Sequence, residues 1–397
     1  MKILIIGQLP KEAGGNYTTG AAKVVYELSK QRVDGMNLYT FATNTPDEIA
    51  QKVSQYPNQY IGYKKDLSGL LKDIVCHPLR TYNEWSHYIR VDHQNPLRYT
   101  FYKINIRKAI NEVRPDLIHV NSIGNVSPTH FAMEDKYVPL LLTCHGIFYR
   151  GETKDTKGRD IYQGNIPQCD YFTGLTDEAR QEFTDILDIP PSKYSIIPNG
   201  VDTSKFYYSD EWRKKIRAKM GEEDNTVVFM TVASLQERKG QLAFIKILKQ
   251  LDINFQYWLI GLGEDKENID AYVKEHQLEK KVRILGYRDN DELYKYYSAA
   301  DIYVHSSWKE GQALSEIEAY STGLPTIVNE AIRGTLVDDP ESEHYCLVDF
   351  TSPDIETIKA WIVSRKDVER SSQHKYDWGN IMNSYAALYK KLLDKTR

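Results

Sequence analysis

Cysteine is scarce in this 397-residue sequence, and its four cysteines are scattered. None forms a Cys-x-x-Cys pair, which argues against a disulfide framework or a zinc site and suits a reducing cytosol. Long apolar runs are lacking as well: residues 3–6 are too short for a signal-peptide core, and no run approaches the length that crosses a bilayer. An excess of positive charge is also absent, because the net charge is −4, and a general nucleic-acid binder is therefore not expected.

Apolar runs alternate with amphipathic segments along the chain, which is typical of an α/β protein with a doubly wound parallel sheet. The length suits two domains of roughly 200 residues each. The turn sequence Pro198, Asn199, Gly200 lies where the alternation restarts, and we place the domain boundary there. A last amphipathic helix is predicted at residues 378–394. Buried strands are predicted at residues 2–6, 38–43, 116–121, 139–146, 170–175, 227–233, 255–260, 282–285, 301–304 and 325–328.

The most informative segment runs from Glu310 to Pro325, between two predicted strands. It is predicted to form a loop and a helix, with Glu310 in the loop and Glu318 in the first turn of the helix. A helix N-terminus offers N–H groups and partial positive charge to an anion, and a carboxylate beside it can bind hydroxyls, so the segment suits a nucleotide sugar. The alternative is a Ser-x-x-Glu capping box, in which Ser315 and Glu318 only close the start of the helix.

Three further positions lie where predicted strands end, which is the ligand side of an open parallel sheet. Gly14 and Gly15 follow the first strand and would let the backbone approach a phosphate or a sugar, or else form a plain turn. His145 ends a buried strand, as a functional or a structural histidine. Arg238 and Lys239 follow a strand of the second half, where they could bind a phosphate or remain solvated surface cations.

From residue 45 to 95 no regular pattern is apparent, and the overlapping region 63–108 is locally basic. It carries nine Lys or Arg against four Asp or Glu. Such a region can dock on an anionic membrane surface or hold an anionic acceptor. It can also be a solvated helical face without a partner. Interleaved with the cations are the aromatic residues Tyr82, Trp85, Tyr88, Tyr99, Phe101 and Tyr102.

In their order and spacing, several motifs resemble those of the retaining GT-B glycosyltransferases of family 4 (glycosyl transferases group 1). They are the glycines at 14–15, residues 143–146, Pro198 to Asp202, residues 238–240, residues 261–264, and Glu310-x7-Glu318 followed by Gly323, Leu324 and Pro325. The resemblance extends over nearly the whole chain and implies two Rossmann-like α/β domains facing a central cleft. It implies an acceptor-binding domain at 1–200, a nucleotide-sugar domain at 201–376, and a C-terminal helix, 377–397, that crosses back to the first domain.

The resemblance also implies roles for individual residues. Arg238 and Lys239 would bind the diphosphate, Glu310 the donor sugar and Glu318 the ribose hydroxyls. His145 would lie near the donor sugar and complete the catalytic set with Arg238, Lys239 and Glu310. Further substrate contacts are expected from Gly14 and Gly15 on the pyrophosphate side of the cleft, from Gly263, from Tyr287 and Arg288 at the base, and from Gln312, Ala313 and Leu314 at the phosphate or sugar.

Two segments depart from the family pattern. Gln312 and Ala313 stand where the family has Phe-Gly, and residues 329–334 replace a glycine-rich segment. Both changes concern the donor pocket, so the identity of the donor sugar is the feature that the resemblance defines least.

We therefore expect a retaining hexosyltransferase that needs no metal or other cofactor and takes a UDP-linked sugar as co-substrate. It would move a hexose or N-acetylhexosamine to a glycan, lipid-linked or teichoic-acid-like acceptor in bacterial surface polysaccharide synthesis. The protein would be cytoplasmic or peripheral on the inner face of the cell membrane, with region 63–108 as its acceptor-binding or membrane-docking face. Two alternatives stay open. One is a catalytically silent GT-B partner subunit that binds glycan or stabilises an active transferase, and the other is a different GT-B enzyme, such as a sugar phosphorylase or a nucleotide-sugar epimerase.

Overall fold

A computed structural model describes residues 1–15, 19–54, 59–134, 136–145, 156–336, 339–365 and 370–394 of the chain. The chain divides into two compact units. Unit 1 consists of residues 1–198 and 378–397, and unit 2 of residues 199–377. Each unit is an α/β structure built on one parallel sheet, which confirms the fold class predicted from the sequence.

Unit 1 begins with alternating strands and helices, as the apolar runs predict. Its strands are β1 (Lys2–Gly7), β2 (Asn37–Pro46), β3 (Gln59–Tyr63), β4 (Leu117–Val120), β5 (Leu140–Thr143), β6 (Tyr171–Gly174) and β7 (Tyr194–Ile196). Its first eight helices are α1 (Gly20–Lys30), α2 (Asp47–Val53), α3 (Leu67–Cys76), α4 (Pro78–Arg90), α5 (Pro96–Val113), α6 (Val126–Met133), α7 (Thr156–Asn165) and α8 (Asp177–Leu187). The strand order is β3-β2-β1-β4-β5-β6-β7, and the central strands are buried and apolar because helices cover both faces of such a sheet.

Unit 2 repeats this plan. Its strands are β8 (Val227–Val232), β9 (Phe255–Ile260), β10 (Val282–Gly286), β11 (Ile302–His305), β12 (Thr326–Asn329) and β13 (Tyr345–Val348). Its helices are α9 (Asp210–Met220), α10 (Gln241–Leu248), α11 (Lys266–Glu275), α12 (Asn290–Ala299), α13 (Leu314–Ser321) and α14 (Ile355–Arg365). The strand order is β10-β9-β8-β11-β12-β13, and the last helix of the chain, α15 (Trp378–Asp394), belongs to unit 1.

The strand order of each sheet reverses at one point, and open α/β sheets bind their ligands beyond the carboxyl ends of the strands at such a point. In unit 1 the reversal lies between β1 and β4, and in unit 2 between β8 and β11. Because β8 and β11 are paired in parallel, the loops that follow them leave the same edge of the sheet side by side. The loop after β8 carries Arg238 and Lys239, and the loop after β11 carries Glu310.

The segment without a regular sequence pattern forms α2, β3, α3 and α4. Its helices are hidden in the sequence because burial does not follow hydrophobicity: Asp73 and Glu84 are 3% and 2% exposed, whereas Leu79 is 81% exposed. The buried carboxylates are neutralised by Lys103 of α5, whose Nζ lies 2.6 Å from Asp73 Oδ2 and also contacts Glu84. Among the described residues, no helix has the length and apolar character needed to cross a membrane.

Helix α15 is joined to the sheet of unit 1 through a buried polar chain. The hydroxyl of Tyr389 lies 2.8 Å from Nδ1 of His119, and Nε2 of His119 lies 2.6 Å from Oγ1 of Thr143. Burial and, to a smaller degree, the charge of His145 lower the pKa of His119 to about 3. The imidazole of His119 is therefore neutral at physiological pH.

Candidate functional site

The loop after β8 is held against the loop after β11 by three contacts. Ser306 Oγ donates a hydrogen bond to the carbonyl of Lys239 at 2.7 Å, and the Trp308 N–H donates to the carbonyl of Arg238 at 3.2 Å. Gly240 has a φ of +67°, and a Cβ there would lie 2.2 Å from the Ser306 carbonyl oxygen. Only glycine accommodates both this close approach and the left-handed conformation. The packing of the two loops brings the cations of the first to the carboxylate of the second.

Glu310 is the centre of this cluster. Lys239 forms an ion pair with its carboxylate, Arg238 Nη1 lies 3.8 Å from Oε1, and Ser307 Oγ donates a 2.8 Å hydrogen bond to Oε1. The imidazole of His305 lies 3.9 Å away. Burial by itself would raise the pKa of Glu310, but His305 and Lys239 outweigh it and hold that pKa well below the usual range. Glu310 is thus a carboxylate with two cations gathered around it.

Burial affects the partner of Glu310 in the opposite sense. It lowers the pKa of Lys239, and the carboxylate of Glu310 counteracts that effect. The side chain of Lys239 is 13% exposed, and that of Arg238 is 43% exposed. Arg238 is therefore open to an incoming anion, while Lys239 is held in place by Glu310.

Helix α13 begins beside this cluster, and its start excludes the capping box. The N-cap residue is Ala313, which makes no side-chain cap, and Ser315 already lies inside the helix. Ser315 Oγ instead accepts a 2.8 Å hydrogen bond from Tyr303. Glu318 is the fifth residue of the helix and lies in its second turn, so its placement in the first turn is wrong. The carboxylate of Glu318 accepts a 2.9 Å hydrogen bond from Tyr297.

The residues between Glu310 and helix α13 differ in what they offer. Gln312 is buried, and its Oε1 accepts a 2.7 Å hydrogen bond from the backbone N–H of Asn199. The Nδ2 group of Asn199 donates to the carbonyl of Gln312 at 3.3 Å. These two hydrogen bonds therefore join the turn at the start of unit 2 to the loop that precedes α13. Ala313 is the N-cap residue of α13 and Leu314 is its first residue, at the helix start, where backbone N–H groups have no partner one turn earlier in the helix.

Gly263 has a packing reason to be glycine. A Cβ at this position would lie 2.0 Å from the carbonyl oxygen of Leu235, which is backbone and cannot give way. The neighbouring loop is tied to the same residue, since the Leu235 N–H donates to the carbonyl of Leu262 at 3.1 Å. The glycine thus allows the loop after β9 to lie on the loop after β8.

Tyr287 and Arg288 follow β10 at the same edge of the sheet. The side chain of Tyr287 is 50% exposed. Arg288 donates a 3.0 Å hydrogen bond to the carbonyl of Tyr287 and a 3.3 Å hydrogen bond from Nε to the hydroxyl of Tyr296. The guanidinium is therefore folded onto its own loop and onto α12, and the backbone of this loop remains at the carboxyl end of the strands.

The other predicted residues lie in unit 1. Gly14 has a φ of +80°, and its N–H donates to the carbonyl of Lys11 at 3.0 Å, so the loop after β1 makes a tight turn. A Cβ at Gly15 would lie 1.8 Å from the carbonyl oxygen of Leu9. His145 follows β5, and burial lowers its pKa to about 4. Its Nε2 atom is buried and, among the described residues, has no hydrogen-bond partner.

The chain contains one Asp-x-Asp pattern, Asp289 and Asp291, and both residues lie at the start of helix α12. Asp289 is the N-cap residue of α12. Asp291 is in the first turn of that helix and forms an ion pair with Lys205. Within the described residues, no group of three or more His, Cys, Asp or Glu side chains is arranged to hold a metal ion.

Four residues of the site are not predicted by the sequence. Ser307 and His305 contact Glu310, and His305 is recognisable only as the last residue of a strand. Tyr297 and Tyr303 bind the helix that carries Glu318, through Glu318 itself and through Ser315. Tyrosines within apolar segments give no signal that separates such contacts from ordinary packing.

Two family models match the chain in the places that this geometry suggests. The model for glycosyl transferases group 1 matches residues 212–337, which contain the whole Glu310 cluster. The model for glycosyltransferase family 4 matches residues 18–205 of unit 1. The chain belongs to this group of glycosyltransferases.

Curated relatives of this glycosyltransferase match parts of it. Alpha-monoglucosyldiacylglycerol synthase of Acholeplasma laidlawii is 32% identical over 143 residues, which are 34% of this chain and 36% of that protein. The UDP-Gal:alpha-D-GlcNAc-diphosphoundecaprenol alpha-1,3-galactosyltransferase of Escherichia coli is 28% identical over 240 residues, 57% of this chain and 60% of that protein. The matches thus span less than two thirds of the length of these two relatives.

Solved structures share the fold of this glycosyltransferase over nearly its whole length. HepE of Anabaena in complex with UDP has a TM-score of 0.70 at 18% identity, covering 98% of this chain and 100% of that one. Sucrose-phosphate synthase of Thermosynechococcus elongatus has a TM-score of 0.73 at 17% identity, covering 99% of each chain. At this identity the likeness establishes the GT-B fold.

Proposed function

We propose that this glycosyltransferase is a retaining, metal-independent enzyme that moves a hexose or N-acetylhexosamine from a UDP-linked sugar to a glycan or lipid-linked acceptor. The observation that carries the proposal is the cluster at the β8–β11 reversal. There, two cations, a largely buried carboxylate and the start of a helix lie beyond the carboxyl ends of neighbouring strands.

Each part of the cluster has a use in sugar transfer. Departure of the nucleoside diphosphate builds negative charge on the leaving phosphate, which Arg238, Lys239 and the N–H groups of α13 are suited to stabilise. Glu310, an ionised carboxylate, would accept hydrogen bonds from the sugar hydroxyls. Glu318 would do the same for the ribose. In the retaining reaction the acceptor hydroxyl attacks from the face that the diphosphate leaves, and the departing phosphate takes its proton.

Several findings support a UDP-linked donor and a lipid-linked acceptor. HepE, which has the same fold, was solved with UDP. The names of two relatives refer to a glucosyldiacylglycerol and to a diphosphoundecaprenol-linked sugar. We therefore place this enzyme in bacterial surface polysaccharide or glycolipid synthesis, in the cytoplasm and at the inner face of the cell membrane, where teichoic-acid-like acceptors would also be found.

Thermal unfolding with nucleotides tests the donor class. A ligand that binds only the folded state raises the Tm by mass action, so UDP should raise the Tm with EDTA present or absent. A rise with GDP alone would move the donor to another nucleotide class. A rise with UDP that disappears in EDTA would contradict the metal-independent mechanism. If no nucleotide raises the Tm, the proposal fails and the alternative of a catalytically silent subunit is favoured.

Replacement of a single cation tests the phosphate role. Lys239→Ala should abolish turnover and the UDP-induced rise in Tm, because it removes the cation nearest to Glu310 and leaves that carboxylate beside the phosphate site. Lys215, an exposed cation on α9, provides the matched control Lys215→Ala, which should retain both. Turnover close to that of the unaltered enzyme in Lys239→Ala would contradict the assignment.

A further inference from the structure

The outer face of α3 and α4 is apolar, although it is exposed. On α3 the exposed apolar residues recur every four positions and so form one stripe, and Val75 and Leu79 stand on either side of the turn into α4. Single exposed apolar residues are common on soluble proteins, but a contiguous set marks an interaction surface. Six large apolar side chains of these two helices are more than half exposed: Leu67, Leu71, Val75, Leu79, Tyr82 and Ile89.

The acidic residues of the same segment point inward. Residues 63–98 contain four of them. Asp73, Glu84 and Asp92 are 3%, 2% and 1% exposed, and Asp66 is half-buried in an ion pair. Burying a carboxylate while leaving a leucine in water is unfavourable on both counts, so the arrangement is not explained by the stability of the free protein. It leaves an outer face without an exposed carboxylate from this segment.

The cations of region 63–108 lie on two sides of these helices. Inside, Lys103 and Arg107 of α5 neutralise Asp73. Outside, Lys65, Lys72 and Arg90 are exposed around the apolar stripe. The outer face of α3 and α4 is therefore apolar and cationic at the same time, which is the combination that interfacial helices use on anionic lipid.

We propose that the outer face of α3 and α4 docks on an anionic lipid bilayer, with its leucines in the interface and Lys65, Lys72 and Arg90 among the headgroups. A second copy of the chain is a poorer occupant, because it would place like charges against each other. The inference rests on the proposed function in one respect: a lipid-linked acceptor requires the enzyme to work at a membrane. It replaces the broad region 63–108 by one helical surface, and it assigns Tyr88, Tyr99, Phe101 and Tyr102 to the core, where they are buried.

A single cysteine makes the docking directly measurable. Cys76 lies at the end of α3 and is exposed, whereas Cys144, Cys169 and Cys346 are buried. An environment-sensitive fluorophore on Cys76 of the full chain should shift its emission to the blue with phosphatidylglycerol vesicles. The shift should be weaker with phosphatidylcholine vesicles and should decrease with salt. An unchanged emission spectrum with phosphatidylglycerol vesicles would overturn the proposal.

Variants test the surface without the label. Leu71→Gln combined with Leu79→Gln should weaken vesicle co-sedimentation at least tenfold, whereas Val363→Gln, at a 67% exposed valine of α14, should not. Lys72→Glu should weaken it by roughly fivefold or more. Equal vesicle binding by the double variant and the unaltered protein would overturn the proposal. The proposal would also be overturned if the unaltered protein is a dimer in light scattering and does not bind vesicles, while the double variant is a monomer.

The UDP-induced rise in Tm separates this inference from the proposed function. It should be the same in the double variant and in the unaltered protein, since α3 and α4 lie in unit 1 and the UDP cluster in unit 2. If the unaltered protein binds UDP but does not bind vesicles, only the membrane surface is refuted. Vesicle binding without any response to UDP would remove only the nucleotide-sugar assignment.

Discussion

Glu310→Gln should make the enzyme bind UDP more tightly while it loses turnover. In the free protein the carboxylate of Glu310 holds Lys239 and lies 3.8 Å from Arg238 Nη1, so it occupies the cations that the diphosphate needs. UDP lacks the transferred hexose, whose hydroxyls Glu310 would bind, and it would therefore gain nothing from Glu310. The amide keeps the shape of the side chain and removes the charge that competes with the phosphate.

The magnitude follows from burial and distance. The side chains of Glu310 and Lys239 are 10% and 13% exposed. At an effective dielectric constant of about 20, a carboxylate and a phosphate charge roughly 6 Å apart repel each other by about 3 kcal/mol. Water in the open site reduces this, and we expect ~1.4 kcal/mol, which is a tenfold decrease in the Kd for UDP. Without UDP, the variant should unfold more easily, because Lys239 then lacks its partner.

Titration calorimetry with UDP measures the change, and Ser307→Ala is the matched control. That variant removes the 2.8 Å hydrogen bond to the same carboxylate oxygen and keeps the charge, so its Kd should stay within about a factor of two. If Glu310→Gln binds UDP with unchanged or weaker affinity, Glu310 does not compete with the diphosphate, and the reasoning is refuted.

Three further predictions concern stability and are measured by urea unfolding. Lys103→Met should lower the free energy of unfolding by about 3–5 kcal/mol, because it removes the buried cation that Asp73 and Glu84 share, whereas Lys108→Met, at a 61% exposed partner of an ion pair, should lower it by about 1 kcal/mol or less; equal losses would contradict this. His119 has a pKa of about 3 in the folded protein against about 6.5 in the unfolded chain. Its contribution to the free energy of unfolding is therefore complete above pH ~6.5 and falls by about 2 kcal/mol by pH 5. A free energy of unfolding that stays level between these pH values would contradict this. Gly263→Ala should cost about 1–3 kcal/mol through its clash with the Leu235 carbonyl, and an unchanged midpoint would contradict it.

Buried strands and well-capped helices could be predicted from the sequence because each is defined by local features. Helix α5, Pro96–Val113, is an example, since proline opens its first turn and the side chain of Asn95 caps it. The strand predicted at 139–146 is confirmed at Leu140–Thr143, where every residue is buried, and residue 146 lies outside the described residues. Such runs need no knowledge of the rest of the fold.

Helices α3 and α4 could not be predicted in the same way. The hydrophobic period of a helix marks the buried face only when apolar residues point inward. Here Asp73 and Glu84 point inward toward Lys103, which lies on another helix. The partner that makes those carboxylates tolerable is distant in sequence, so the local pattern does not indicate a helix.

The candidate site was predictable as a set of residues and not as an arrangement. Strand ends and motif spacing select Lys239 and Glu310, but their contact depends on β8 and β11 being neighbours, which strand sequence does not specify. The same holds for Glu318, because the spacing Ser315-x-x-Glu318 in the sequence leaves open whether it caps the helix. The hydrogen bond from Tyr297 of α12 answers that question, and it requires the packing of two helices.

The position of α15 has a consequence for how the protein is made. Unit 2 begins and ends at one place, because the Val201 N–H donates to the carbonyl of Tyr376 at 2.8 Å, so it is built like an insertion within unit 1. During synthesis on the ribosome, all of unit 2 leaves the tunnel before α15 does. Unit 2 can therefore complete its sheet first, because Tyr389, the hydrogen-bond partner of His119 in unit 1, is translated only after the whole of unit 2. The amino-terminal unit would be the later of the two to finish folding, and a prematurely terminated chain would leave that unit incomplete while sparing the other.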